Sequence, residues 1–253
     1  MVKCLSKYLS VIIFIIFWQI YADYIHPHFN PMAHNILPSP WTVFCIGREL
    51  MRRGELIEHI VSSLRKVLIG FSLASIIGIF LGSLMGLNFA IRERFKTVIL
   101  ILRPIPPFAW IPLGLLWFGI GDAEAIMVIV ISGVFYIALH TLYGIERIDF
   151  NLKQIALSLG ASRCGLIKRV ILPGLLPELF RGLRIALGFC WVVVVGAEMV
   201  GSVSGLGYLI LDSRNRGLPQ MAVLGMVLIG FIAVTMDYIL VKVKDKIVPW
   251  DAR

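Results

Sequence analysis

The sequence predicts an all-α integral membrane protein with six membrane-crossing helices and a basic helical hairpin between the fourth and fifth. Three observations carry this prediction. Hydrophobic residues make up 58% of the 253 and charged residues only 15%, both far from the soluble average. The apolar residues form unbroken runs, long enough at about 1.5 Å per residue to cross roughly 30 Å of hydrocarbon. The basic residues behind the formal charge of +9 cluster between those runs. That is how topology signals are placed, not a groove for phosphates, so no nucleic-acid partner is expected.

The first run, Tyr8 to Ala22, follows Lys3 and Lys7. It reads as a retained span and not a cleaved signal peptide, because no small-x-small cleavage site follows soon after it. Next comes a polar stretch whose prolines make its first half irregular. From Pro40 a helical pattern begins, with Ser39 placed to cap, Pro40 in the first turn, and Val43, Ile46, Leu50 and Leu56 near helical spacing. An amphipathic helix at the outer surface is expected there.

The second span, Val67 to Ala90, carries no charge and spaces Gly78, Gly82 and Gly86 four apart. That puts three glycines on one helix face, where a neighbouring helix can approach closely. Packing inside a bundle is preferred over a dimer contact. The third span runs from Thr97 to about Gly119, the fourth from Ala125 to Leu142, the fifth from Ile185 to Val203 and the sixth from Met221 to Val241. Segment boundaries are placed at 1–35, 36–66 and 67–253, the last being the core with the hairpin motif at 150–173.

Lysines and arginines set the orientation, because they are hard to translocate. With the N-terminus inside, the cytoplasmic segments take in Lys3 and Lys7, then Arg92, Arg94 and Lys96, the stretch from Arg147 to Arg184, and the tail with Lys242, Lys244, Lys246 and Arg253. Both termini are then cytoplasmic.

Reactive constellations are lacking in the sequence. No Gly-Lys pair occurs, so there is no Walker-type cradle, and neither a Gly-x-Ser-x-Gly elbow nor a His-Glu-x-x-His pair is present. Cys4, Cys45, Cys164 and Cys190 are scattered without metal or redox spacing. His26 and His28 in "YIHPHFNP" read as an ordinary polar loop in preference to a metal site. No catalytic residue, no metal and no cofactor are expected on this chain.

Polar residues inside the spans are the candidates for contact with a solute. "RPIPPFAWIP" puts Arg103 and prolines 104, 106, 107 and 112 in a stretch that should cross the membrane. Prolines remove backbone donors, so the carbonyls they free must face a cavity, water or another helix. Pro106, Pro107, Trp110 and Trp117, with Phe108, are expected to line a cavity, while Arg103 either meets an anion or snorkels to the interface. Glu198, with Met199 beside it, lies well inside the fifth span and is read as a cavity or gate residue or a structural hydrogen-bonding group. Asp237 reads as interfacial and His140 as a satisfied packing residue.

The segment Gln154 to Gly188 interrupts the oily sequence with basic residues, Gly160, Pro173 and Pro177. Gln154 to Leu159 reads as a short helix with Ile155 and Leu159 on one face, ended by Gly160. Ala161 to Val170 restarts the helix, and Leu172-Pro173 is expected to stop or turn it. The result is a helix–turn–helix knob whose tip is small: Ser158, Gly160, Ala161, Ser162.

This pattern resembles the coupling (EAA) motif of the membrane subunits of ATP-binding-cassette importers, which reads Glu-Ala-Ala, three residues, Gly, nine residues, Ile-x-Leu-Pro. The same positions here are Gln154, Ile155, Ala156, Gly160, Val170, Leu172 and Pro173. Gln replaces Glu at 154 and Ile replaces Ala at 155, which removes an ion pair the Glu would make. "ILPSPWTVF", "RPIPPFAWIPLGLLWFGIGDAEAI", "LGASR", "ILPGLLPELFRGLRIALG", "GAEMVGSVSGLGYLI" and the C-terminal "PW" are similar to permeases of the nitrate, taurine and aliphatic-sulfonate group.

The resemblance implies a type I importer permease fold with a cytoplasmic coupling helix. ATPase coupling falls on Gln154, Ala156, Ser158, Leu159, Gly160, Ala161, Ser162 and Arg163. The implied partners are a second copy of the chain, two ATPase subunits holding ATP and Mg, an extracytoplasmic solute-binding protein and membrane lipid. The implied location is a prokaryotic inner membrane, and the solute class is small and anionic: nitrate, sulfonate, taurine or bicarbonate. An ion-driven secondary carrier is the alternative; it would leave the knob unexplained.

Overall fold

The computed structural model describes residues 2–25 and 37–251. The stretch with His26 and His28 lies outside the described residues, as does part of the proline-punctuated segment around it. All regular structure among the described residues is helical. The helices are α1 (Val2–Ile20, continued by a π turn over Tyr21–Ile25), α2 (Pro40–Arg53), α3 (Glu55–Leu87), α4 (Phe89–Leu102), α5 (Ile111–Phe118, entered through a 3-10 turn Pro107–Trp110) and α6 (Asp122–Glu146). They continue as α7 (Phe150–Ser158), α8 (Arg163–Leu166, with a π turn Ile167–Ile171), α9 (Leu172–Gly201), α10 (Leu206–Asn215) and α11 (Pro219–Ile247), with a final 3-10 turn Pro249–Asp251.

Among the described residues, four helices are long and apolar enough to cross a membrane: α3, α6, α11 and the 39-residue run Arg163–Gly201. A fifth crossing is the pair Phe89–Leu102 and Pro107–Phe118, bent by 91°. The first apolar run forms a shorter helix, Leu9–Tyr24. Where a single third span is expected, the chain breaks, because Pro104, Pro106 and Pro107 lack the N–H groups that would carry α4 onward.

At Leu172-Pro173 the opposite correction holds. No turn occurs there, and the helix runs on from Arg163 to Gly201. The reason is the π turn just before it: the Leu172 N–H reaches back to the Ile167 carbonyl, a wider turn that seats the proline ring without breaking the helix. Pro173 falls in the first turn of α9, where a missing N–H costs little.

The chain divides into two compact units. In the first, Met1–Ser63 with Ser204–Gly230, α2 begins as expected, with Pro40 in its first turn after Ser39. The Ser39 hydroxyl bonds Thr42 Oγ1 at 3.1 Å and caps no backbone N–H. Val43 and Leu50 are the buried positions of this helix, and Gly54, with φ of 80°, ends it. The open first turn of α10 is satisfied from α3. Gly205 N–H donates to His59 Nδ1 at 3.2 Å and Leu206 N–H to the Ser63 hydroxyl at 2.8 Å.

The second unit, Leu64–Val203 with Phe231–Arg253, is built on the expected small-residue stripe. A Cβ at Gly78 would come within 2.8 Å of Ile137, at Gly82 within 2.5 Å of the Ala138 carbonyl and of Thr141, and at Gly86 within 2.6 Å of Ile145. The stripe also includes Gly70 against Ile129, and Ala74 against Gly133. So the glycine face of α3 packs within this chain, on α6. Gly82→Val should therefore cost about 1–3 kcal/mol by overpacking and lower the unfolding midpoint in detergent. Gly188→Ala, with open space at its Cβ, should leave that midpoint unchanged or slightly higher.

Candidate functional site

The hairpin begins at Asp149, whose carboxylate accepts from Asn151 N–H at 2.8 Å and caps α7. The helix closes with two backbone bonds, Ala161 N–H to the Ala156 carbonyl at 3.0 Å and Gly160 N–H to the Leu157 carbonyl at 2.9 Å. Together they form a Schellman closure, which needs a left-handed residue at the position of Gly160, where φ is 82°. Ser162 starts α8, its hydroxyl accepting from Gly165 N–H at 3.1 Å. Local caps set the two short helices: the break at Gly160 is where the sequence places it, while Asp149 and Ser162 start the helices at Phe150 and Arg163 in place of the expected Gln154 and Ala161.

Exposure follows this geometry. Gln154, Ser158, Leu159, Gly160, Ser162 and Arg163 are exposed, while Ala156 and Ala161 are half-buried. Leu159 at the tip is 83% exposed, and Phe150, Leu152, Ile155 and Leu157 are exposed as well. A short two-helix projection that presents this much apolar surface without covering it has the character of a docking face.

The base of the hairpin is tied into the second unit. Ile145, Ile171 and Leu175 belong to its buried core, with Ile148 and Leu166 packed against them. Glu178 on α9 collects three donors, His140 Nδ1 at 2.8 Å, Arg147 at 2.6 Å and Arg181 at 2.9 Å. Arg147 is the residue that ends α6 and leads into the hairpin, so this carboxylate links α6, α9 and the hairpin's first leg. His140 is accordingly a hydrogen-bonded packing residue, its ring seated over Gly182. Arg181 also lies 3.9 Å from Asp251. The hydrogen bond from Lys244, at 2.6 Å, with the charges of Lys244 and Arg181, holds the Asp251 carboxyl below the usual carboxylate range. Asp237 makes a bidentate pair with Arg184, both bonds 2.7 Å.

A second feature is the proline break between α4 and α5. It opens a cavity of about 430 Å³ lined by Leu100, Arg103, Pro104, Ile105, Pro106, Pro107 and Tyr136. The Arg103 guanidinium stands 5.0 Å from the centroid of the Tyr136 ring. That ring stacks on Phe189 at 4.5 Å, which holds it in place. Phe108, in the 3-10 turn, fills the space left by Gly196 on α9. The structure thus brings Arg103, Pro106 and Pro107 together. Trp110 is half-buried and Trp117 is exposed, and neither lines this cavity.

Glu198 lies elsewhere, in a buried charge cluster. Lys66 and Glu198 are both 0% exposed, with Nζ 3.0 Å from Oε1. Asp122 is 3.5 Å from the same ammonium and also pairs with Arg65. Glu124 is buried beside them, both oxygens without a hydrogen-bond partner, in a slot between Gly114 and Gly201. Met199 is half-buried next to Glu198. Sequence reasoning missed Lys66, Asp122 and Glu124, which sit just at or beyond the ends of uncharged runs. The available signal was a Lys abutting one apolar run while another run contained a Glu that needed a counter-charge.

Comparisons with known proteins agree with this architecture. The family model described as binding-protein-dependent transport system inner membrane component matches residues 74–248. The taurine transport system permease protein TauC of Escherichia coli is 32% identical over 226 residues, covering 89% of this chain and 82% of that protein. The bicarbonate transport system permease protein CmpB of Synechococcus elongatus is 33% identical over 236 residues, covering 88% and 82%. Among solved structures, the inward-facing MetNI methionine ABC transporter aligns with a TM-score of 0.62 at 23% identity, covering 78% of this chain and 96% of that one; this likeness is one of fold. The helical spans, the exposed hairpin and a family match over most of the chain lead to one conclusion: this protein belongs to the binding-protein-dependent transport system inner membrane components, the permease subunits of ABC importers.

Proposed function

We propose that this chain forms the translocation pathway for a small anionic solute and is driven by separate ATPase subunits docked on the α7–α8 hairpin. The observation that carries the reading is the exposed, Gly160-closed hairpin itself, with apolar side chains uncovered at its tip and a base anchored to α6 and α9. A rigid projection of that kind transmits a push from a partner to the spans. In a type I arrangement two copies of this chain sit above two ATPase subunits that hold ATP and Mg, and an extracytoplasmic binding protein delivers the solute. The hairpin then faces the cytoplasm, as do both termini, in a prokaryotic inner membrane. ATP-driven closure of the ATPase pair moves the hairpins and switches the cavity between its two openings. Gln154, Ala156, Ser158, Leu159, Gly160, Ala161, Ser162 and Arg163 supply the docking surface.

The expected result is that the purified chain retains an ATP-hydrolysing subunit. In proteoliposomes with its binding protein, uptake should require ATP and survive ionophores that collapse ion gradients. Uptake by the chain alone, driven by an ion gradient, would establish the secondary-carrier alternative instead.

A further inference from the structure

Several arginines of the helical spans are paired with carboxylates. Arg65 pairs with Asp122, Arg92 with Glu146, Arg147 and Arg181 with Glu178, and Arg184 with Asp237. Among the described residues Arg103 has no carboxylate within ion-pair distance, and its recorded contact is the ring of Tyr136. Tyr136 lies ten residues from Glu146 and fourteen from Asp122, the two ends of α6. At the helical rise this puts the ring about 15 Å from one end of the span and about 21 Å from the other. The guanidinium beside it stands alongside the apolar length of α6, away from the charged residues at its ends. A charge within a spanning stretch that meets no carboxylate faces water or a ligand.

The surroundings define what fits. Pro104, Pro106 and Pro107 present no N–H groups, so along this wall the arginine supplies the donors. The fork of a guanidinium matches a compact oxyanion bidentately, and Tyr136, fixed by Phe189, holds that fork from behind. The cavity of about 430 Å³ has room for a small solute. We infer that Arg103, backed by Tyr136 at the proline break, is the transit site of the membrane pathway and binds the oxyanion group of the solute, a sulfonate, nitrate or bicarbonate. This rests on the importer reading above.

Two measurements on the complete transporter test it. In membrane vesicles, phenylglyoxal should modify Arg103, read by mass spectrometry of the labelled peptide. Taurine, nitrate or bicarbonate should slow that labelling by about tenfold at saturation, whereas glycerol should not. In proteoliposomes, Arg103→Gln should lower import of the protecting anion by about 10- to 100-fold, with Arg103→Lys between the two. ATP hydrolysis stimulated by the loaded binding protein should remain in Arg103→Gln. An Arg103 that does not react, labelling that none of the three anions slows, or import at the wild-type rate in Arg103→Gln would each overturn the assignment. Failure of the importer reading shows differently: wild-type vesicles then protect Arg103 with an anion yet take up no solute with ATP.

Discussion

Gly160→Glu should abolish solute-stimulated ATP hydrolysis and import while the chain still inserts in the membrane at normal levels. Two effects add. The position requires φ near 80°, which costs a residue with a Cβ about 1–2 kcal/mol and loosens the Schellman closure. The carboxylate then projects from the tip of the docking face, where a closely fitting partner leaves it crowded and desolvated. Gly160→Asn separates these effects, because Asn tolerates the left-handed region; it should keep a substantial part of the coupling. ATP hydrolysis with and without loaded binding protein, and import into proteoliposomes, are the readouts. Wild-type import by Gly160→Glu would refute the docking role of the hairpin.

The second large effect belongs to the buried pair Lys66–Glu198. Removing one partner breaks a fully buried ion pair, so Lys66→Met should destabilise by about 3–5 kcal/mol and lower the unfolding midpoint in detergent. Glu198→Ala should cost less, because Asp122 still lies 3.5 Å from the Lys66 ammonium. The double variant Lys66→Met with Glu198→Leu removes both charges at similar volume and should recover most of that loss. Transport then discriminates between roles. A double variant that is stable but slow assigns the pair to the moving parts of the pathway; one that is stable and fully active makes it a packing element. An unchanged midpoint in Lys66→Met would show that the pair is not held as the structure has it.

Much of the architecture was legible because membrane helices are written in runs of apolar residues and short helices in their caps. Gly160 acts within a few residues of itself, and so the break in the hairpin could be read, whereas the caps at Asp149 and Ser162 and the start of α7 at Phe150 were not. The Gly78, Gly82 and Gly86 stripe was equally readable as a packing face, though not its partner. Errors came where one local signal met another. Pro173 looked like a stop, but the π turn before it carries the helix through. The run from Thr97 looked like one crossing, yet three closely spaced prolines turn it by 91°. Glu198 was legible as a costly charge, and its role was not, because its partner lies 132 residues away.

By itself the sequence determined that this is a helical membrane protein with several apolar spans, and that one small-tipped hairpin stands apart from them. These follow from burial preferences and backbone sterics that act over a few turns of chain. Only the tertiary structure decided which charges meet one another. Lys66 meets Glu198, and Glu178 gathers His140 and two arginines, while Arg103 is set against the Tyr136 ring with no carboxylate within ion-pair distance among the described residues. The physical reason is that electrostatic partnership in a low-dielectric interior depends on distance between side chains brought together by helix packing, and spacing along the sequence carries no record of it.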